Sequence, residues 1–334
     1  MSVLPNEGVI HTCIQERFTV DKTNELIKKA ISRRTFMAGA GTAAAAALLA
    51  GCDNSAPAPP SGGSGGGSTN PPPAGVTDND VLNFALNLEY LEAEFYLYAT
   101  TGSGLSSADA GSGAGTTKIP SGMAAVPWGS SGLAQYANEI AQDEVNHVRF
   151  LRKAITDNKG TPVARPDIDL TFFAPLAVAA SITPTPSFNP FTTPQAFLIG
   201  AFVFEDVGVT AYNGAAPLLS DKTILTAAAG ILGVEAYHAA AIRSLLVGMA
   251  ASANDQTYVD IANKVSALRG TLGGGNETML SSKSIVAADT TNAIAFPRTT
   301  DQVLQIVYGA AGKGLSKGGF FPNGLNGTIK ATAS

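Results

Sequence analysis

"QDEVNHVRFL", residues 142–151, carries Glu144 and His147 inside a stretch that otherwise reads as the apolar face of a helix. A spacing of three brings both side chains to one helical face, one turn apart. The same spacing recurs in "VEAYHAA", residues 234–240, where Glu235 and His238 repeat it. The chain has only three histidines in 334 residues, and these are two of them. Histidines scattered over a surface would have no reason to share one pattern in two separate segments.

Outward from these motifs, four long segments have helical periodicity. The first, Asp78 to Ala99, follows the capping sequence "TDND" and runs through "VLNFALNLEYLEAEFYLYA" without Gly or Pro. A Gly-, Ser- and Ala-rich stretch from Thr101 to Ser131 separates it from the second, Gly132 to about Asn158, which holds Glu144 and His147. Residues 159–193 contain six prolines, which excludes a long helix and marks a crossing connection. The third helix starts at Pro194 and runs to about Asn213; the fourth takes Asp221 as its cap, holds Glu235 and His238, and continues past Met249. The third, with "AFLIGAFVFEDVGVTAY", is apolar on nearly every side, but Glu205 and Asp206 at its middle would each cost about 2.5–3.5 kcal/mol at a bilayer centre. It reads as the buried member of a bundle. The expected fold is all-α, a four-helix bundle over residues 77–251 with a long crossover between the second and third helices. An extension, residues 252–334, follows, with a helix in "DQTYVDIANKVSAL", a short one in "DQVLQIVYGA", and the irregular "GGFFPNGLNG".

The first and third helices have no histidine but share another spacing: Glu89 and Tyr96, and Glu205 and Tyr212, are each seven apart. Neither helix has a Lys or Arg, and a carboxylate facing a dry core needs a positive partner. Two metal ions would serve. One Glu from each of two helices and one Glu-x-x-His from each of the others is the ligand set of a dinuclear carboxylate centre in a bundle. The ligands are then Glu89, Glu144, His147, Glu205, Glu235 and His238, with Glu92, on the same face as Glu89, as a further one. Four carboxylates neutralise two divalent cations, and oxygen with imidazole suits iron, placed ahead of manganese. Tyr96 and Tyr212 are either core aromatics or electron-donating or hydrogen-bonding groups of the reaction. Asp206 is expected to hydrogen-bond a ligating histidine, Glu94 to lie at the surface, and Glu139 and Asp143 to be solvated. Arg149, Arg152 and Arg243 are expected to point outward.

On these residues the chain resembles the ferritin-like proteins, in particular exported bacterial ones related to desiccation-associated ferritin-like domains, over roughly residues 77–250. The "GGFFPNGLNG" tail is similar to that subgroup's. The resemblance implies a di-iron or di-manganese centre that oxidises Fe(II) or reacts with dioxygen or peroxide. The competing expectation is a non-catalytic envelope protein of stress or desiccation whose metal site is structural or vacant. Haem is not expected, because both histidines of the bundle are already committed. Oligomers are compatible with the sequence, but a closed storage cage of ferritin type is not, because the Gly-rich insertion, the extension and a tether would crowd its contact surfaces.

The first residues read as an address. "SRRTFM", residues 32–37, precedes a mildly apolar run of 13 residues and resembles a twin-arginine export signal; "LAGC", residues 49–52, resembles a lipobox, with Cys52 the acylated residue. A Gly/Pro/Ser-rich linker, residues 53–76, follows as a tether. The expectation is a lipoprotein anchored in the membrane and facing the periplasm or cell exterior, with residues 1–52 as its signal. Cys52 and Cys13 are the only cysteines, so thiolate chemistry has no place in the bundle. Residues 1–52 hold six of the 21 basic and four of the 26 acidic residues, leaving 15 against 22. The remainder is acidic and has no basic cluster, which excludes nucleic acid as a partner.

Overall fold

The computed structural model describes residues 75–334. The expected signal, Cys52 and all but the last two residues of the linker lie outside the described residues. Four long helices form the bundle: α1, Asp78–Thr101; α3, Leu133–Asp157; α5, Pro194–Ala215; and α6, Lys222–Ala253. Between α1 and α3 lie α2, Ser107–Ala110, and β1, Thr117–Lys118; between α3 and α5 lie β2, Ile168–Asp169, and α4, Phe173–Ala179. After α6 come α7, Thr257–Leu272, and α8, Thr300–Tyr308.

Local chemistry sets the helix ends. Thr77 and Asp80 form a reciprocal capping box at the start of α1, which stops at Gly102 in the left-handed region. Thr193 caps α5, with Pro194 in its first turn, where a missing N–H costs nothing. The Asp221 side chain accepts from the amides of Thr223 and Ile224 to start α6. Helix α1 packs along α3, and α5 along α6, with the crossover carried by residues 158–193. The Gly-rich insertion is pinned to this crossover: β1 and β2 pair in parallel, and the Thr116 amide donates to Asp167 at 2.6 Å.

The core gathers around Phe95, which stacks on Phe197 with ring centroids 5.5 Å apart and meets Phe173, Phe191 and Phe204 at other angles. Gly200 permits this: a Cβ there would lie 2.8 Å from the Phe95 ring. The extension is built into the same core. Phe320 and Phe321 are buried, and Phe320 packs on Phe173 and Phe204 with centroids 5.0 and 4.9 Å away. Asn326 and Asn87 exchange hydrogen bonds of 2.9 and 3.0 Å, which fasten the C-terminal strap to the middle of α1.

Two expectations are corrected here. Asp206 does not reach a histidine; it accepts from Arg243 and Arg269, each at 2.7 Å, and Glu277 accepts from Arg269 at 2.8 Å and Arg298 at 2.6 Å. Arg243, expected outside, is therefore buried, 1% exposed. The reason is that α5 is covered twice, by the bundle on one side and by α7 and the residues after it on the other. Its all-round apolar character reflects both covers, and Asp206 faces the second.

Candidate metal centre

Six side chains converge at the middle of the bundle. Glu89 comes from α1, Glu144 and His147 from α3, Glu205 from α5, and Glu235 and His238 from α6, and all six are buried. The Nδ1 of His147 lies 3.2 Å from Glu89 Oε2, 3.5 Å from Glu144 Oε2 and 3.5 Å from Glu235 Oε1. The Nδ1 of His238 lies 3.0 Å from Glu144 Oε1 and 3.6 Å from Glu205 Oε2. The imidazole centroids are 6.3 Å apart. Two donor groups result, Glu89, Glu144, His147 and Glu235 in one, Glu144, Glu205 and His238 in the other, each with its donor atoms within 4.8 Å of one another. Glu144 belongs to both.

Whether this set suits metal can be judged from its hydrogen bonds. Both oxygens of Glu144 and of Glu235, Oε2 of Glu205 and Nδ1 of His238 are buried with no hydrogen-bond partner. Such atoms cost roughly 1–3 kcal/mol each when nothing meets them. They are close together yet poorly aligned for bonding to each other, as donors aimed at a common point are. Two donors on one ion, with bonds of about 2.1 Å at about a right angle, sit roughly 3.0 Å apart, close to the shorter spacings in this cluster. The buried Glu and His groups can therefore hold metal ions.

Electrostatics lead to the same conclusion. Burial raises Glu89 to about 8 although His147 opposes it, and burial with neighbouring carboxylates raises Glu92 well above the usual range. Burial raises Glu205 and Glu235 as well. Burial lowers His238, but Glu205, Asp143 and Glu144 outweigh it and push the imidazole up to about 11; His147 is raised in the same way, Glu89 first among its opposing neighbours. Only Glu144, between the two imidazoles, is held low despite its burial. Buried carboxyls and imidazoles pushed together toward their protonated forms mark a cluster that calls for positive charge.

The tyrosines bind across the bundle, not along their own helices. Tyr96 of α1 donates to Glu205 Oε1, and Tyr212 of α5 donates to Glu89 Oε1. Each of these glutamates is anchored through one oxygen and presents the other to the cluster. Glu92 is buried but belongs to neither donor group. Asp143, expected to be solvated, is partly exposed yet lies 3.2 Å from His238 Nε2, where it fixes the ring behind its inward nitrogen. Glu94 is fully buried, not at the surface, and accepts from Arg165 and from the Leu105 amide at 3.1 Å. Arg149 does point outward, to Asp109 at 2.7 Å, whereas Arg152 turns to Tyr90 Oη at 2.6 Å.

Sequence reasoning missed Gly208. A Cβ there would fall 2.1 Å from Glu235 Oε2, so only bare backbone lets this carboxylate lie against α5. A glycine in an otherwise apolar helix, three residues beyond Glu205, was the available signal.

The model of the ferritin-like domain family matches residues 77–248. The chain is 29% identical over 282 residues to the ferritin-like catalase Nec2 of Nesocodon mauritianus, an alignment covering 75% of this chain and 84% of that one. It is 31% identical over 252 residues to the desiccation-related protein PCC13-62 of Craterostigma plantagineum, covering 68% and 76%.

Proposed function

The chain belongs to the ferritin-like domain family, and on that premise we propose that its bundle core holds two ions of iron or manganese and turns over a small oxidant, hydrogen peroxide or dioxygen. The observation that carries this reading is the convergence of four glutamates and two histidines from four helices on one buried point, with six of their polar atoms lacking hydrogen-bond partners. Glu89, Glu144, His147 and Glu235 would hold one ion and Glu144, Glu205 and His238 the other. When bound, the metal pair supplies the redox equivalents and the Lewis acidity. The protein's own groups do the rest: the tyrosines fix Glu89 and Glu205, Asp143 fixes His238, and the aromatic core keeps bulk water out. Similarity to a protein named a catalase favours peroxide, in which two H2O2 yield O2 and two H2O, over oxidation of Fe(II). Export by the twin-arginine route and anchoring through Cys52 are part of the same proposal and rest on the sequence alone.

Metal analysis of the purified protein, with and without reconstitution, tests the reading. Near two Fe or Mn per chain, together with peroxide consumption that disappears on Glu144→Ala and Glu235→Ala, is the expected result; a chain that takes up no metal sinks it. Similarity to a desiccation-related protein supports a second reading, a non-catalytic envelope protein whose metal is structural or missing. Bound metal without any turnover of peroxide, dioxygen or Fe(II) would favour that one.

A further inference from the structure

Beside the donor cluster, between α1, α5 and α8, lies a cavity with about 20 Å3 of room for water-sized molecules. Its walls are apolar side chains of α1 and α5, and Glu92 is the one charged residue lining it. Gly208 is where cavity and cluster meet: it lines the cavity, and the position of its missing Cβ lies 2.1 Å from Glu235 Oε2 and 3.5 Å from Glu92 Oε1. The roof does not come from the four-helix bundle. Ile306 and Val307 of α8 and Phe320 of the C-terminal strap supply it, and all three are buried. Phe320 is wedged against Phe173 and Phe204, so the roof is part of the packed core.

Size and polarity restrict what such a space takes. One water needs about 10–15 Å3 on this measure, so the cavity holds a molecule of one or two non-hydrogen atoms. Apolar walls penalise an ion and accept a neutral molecule, and the Glu92 carboxyl offers it one hydrogen-bonding group. We infer that the C-terminal segment is part of the site: Ile306, Val307 and Phe320 close a chamber beside Glu235 and Glu92 that admits a neutral two-oxygen molecule and excludes organic substrates. The inference rests on the proposed reading of the cluster as a metal centre that meets a small oxidant. It goes beyond it in making the extension the determinant of substrate size.

The test uses the full-length chain with Val307→Ala, which widens the roof, and Val307→Ile, which narrows it. In metal-free protein xenon probes the chamber itself: methyl NMR under xenon pressure should show the largest shifts at Val203, Val207 and Ile306 in V307A, smaller ones in the wild type, and the smallest in V307I. In metal-loaded protein, reduction of tert-butyl hydroperoxide with hydrogen peroxide as the reductant, in which one of each yields tert-butanol, O2 and H2O, should rise relative to turnover of hydrogen peroxide alone by roughly tenfold or more in V307A, as removal of pocket methyl groups does elsewhere. If V307A does not fold, Ile306→Val replaces it in both measurements. A missing xenon response at these methyls in all variants overturns the inference, as does a wild-type ratio of the two peroxides in a variant whose chamber xenon shows to be wider. Loss of the proposed function looks different: the wild type then turns over neither peroxide, and the xenon order alone decides the chamber.

Discussion

Tyr212 on α5 donates its hydroxyl to Glu89 on α1, and Tyr96 on α1 returns the arrangement to Glu205 on α5, so each of these two glutamates is held by the helix opposite its own. Burial and the adjoining carboxylate keep both phenols well above their ordinary pKa, so they stay protonated as donors. The crossing ties α1 to α5 and leaves one oxygen of each glutamate free to face the cluster.

Tyr96→Phe and Tyr212→Phe keep the rings and remove the donors. Each should lower stability by about 1–3 kcal/mol, because a buried carboxylate oxygen loses its partner. Each should also weaken metal binding by about 10–100-fold, the usual effect of losing an outer hydrogen bond to a ligand. Thermal unfolding and metal titration read the two effects separately. Unchanged affinity in both variants would reduce the tyrosines to packing aromatics.

Chelation should destabilise the protein without dismantling it. The aromatic core around Phe95 does not involve the side chains of the donor cluster, so helical content should persist. The unfolding temperature should fall, since an ion at about 100 times its Kd contributes about 2.7 kcal/mol. Returning Fe(II) or Mn(II) should restore it. Circular dichroism melts with and without chelator are the measurement, and an unchanged melting temperature would count against a bound ion.

Acid should weaken the joint between the starts of α1 and α6. The Asp78 carboxylate accepts from Ser220 N at 2.9 Å and Asp221 N at 2.8 Å. Burial pushes its pKa up, but those amides and the Ser220 hydroxyl more than offset this and hold it below the usual carboxylate value. A depressed folded pKa means the contribution is complete above the unfolded value of about 3.9 and is lost as pH falls through the folded one. Asp78→Asn should therefore be less stable than the wild type at pH 7, and the gap should shrink as the pH drops below about 4. Denaturant melts across that range check it; a gap independent of pH would show that the charge is immaterial.

The bundle and the convergence of its polar residues were legible because both depend on periodicity. Glu144 with His147 and Glu235 with His238 repeat one spacing, and the caps at Thr77, Thr193 and Asp221 mark helix starts in the sequence itself. What periodicity does not carry is which neighbour a helix face meets. The seven-residue spacing puts Glu89 and Tyr96 on one stripe of α1 but does not say what that stripe faces, and the Tyr96 hydroxyl bonds to Glu205 of α5. Glu94 looked like surface because the arginine that meets it, Arg165, comes from the crossover, 71 residues away. Asp143 sits at the solvent edge of α3, and its use became visible only once α6 placed His238 beside it. Asp206 was misread for the same reason, since one partner, Arg269, belongs to the extension, and the other, Arg243, is a residue of α6 that turns inward to meet it.

That reassignment of Asp206 gives a sharp test. If Asp206 serves the buried arginine network and not the centre, Asp206→Ala should cost about 3–5 kcal/mol, because Arg243 is left in the interior without an acid and Arg269 with Glu277 alone. The metal content of the protein that still folds should match the wild type, since the carboxylate faces α7 and not the donor cluster. Combining it with Arg243→Met should recover part of the lost stability by removing one stranded charge. A variant that keeps its stability and loses its metal would reverse the assignment and return Asp206 to the histidines.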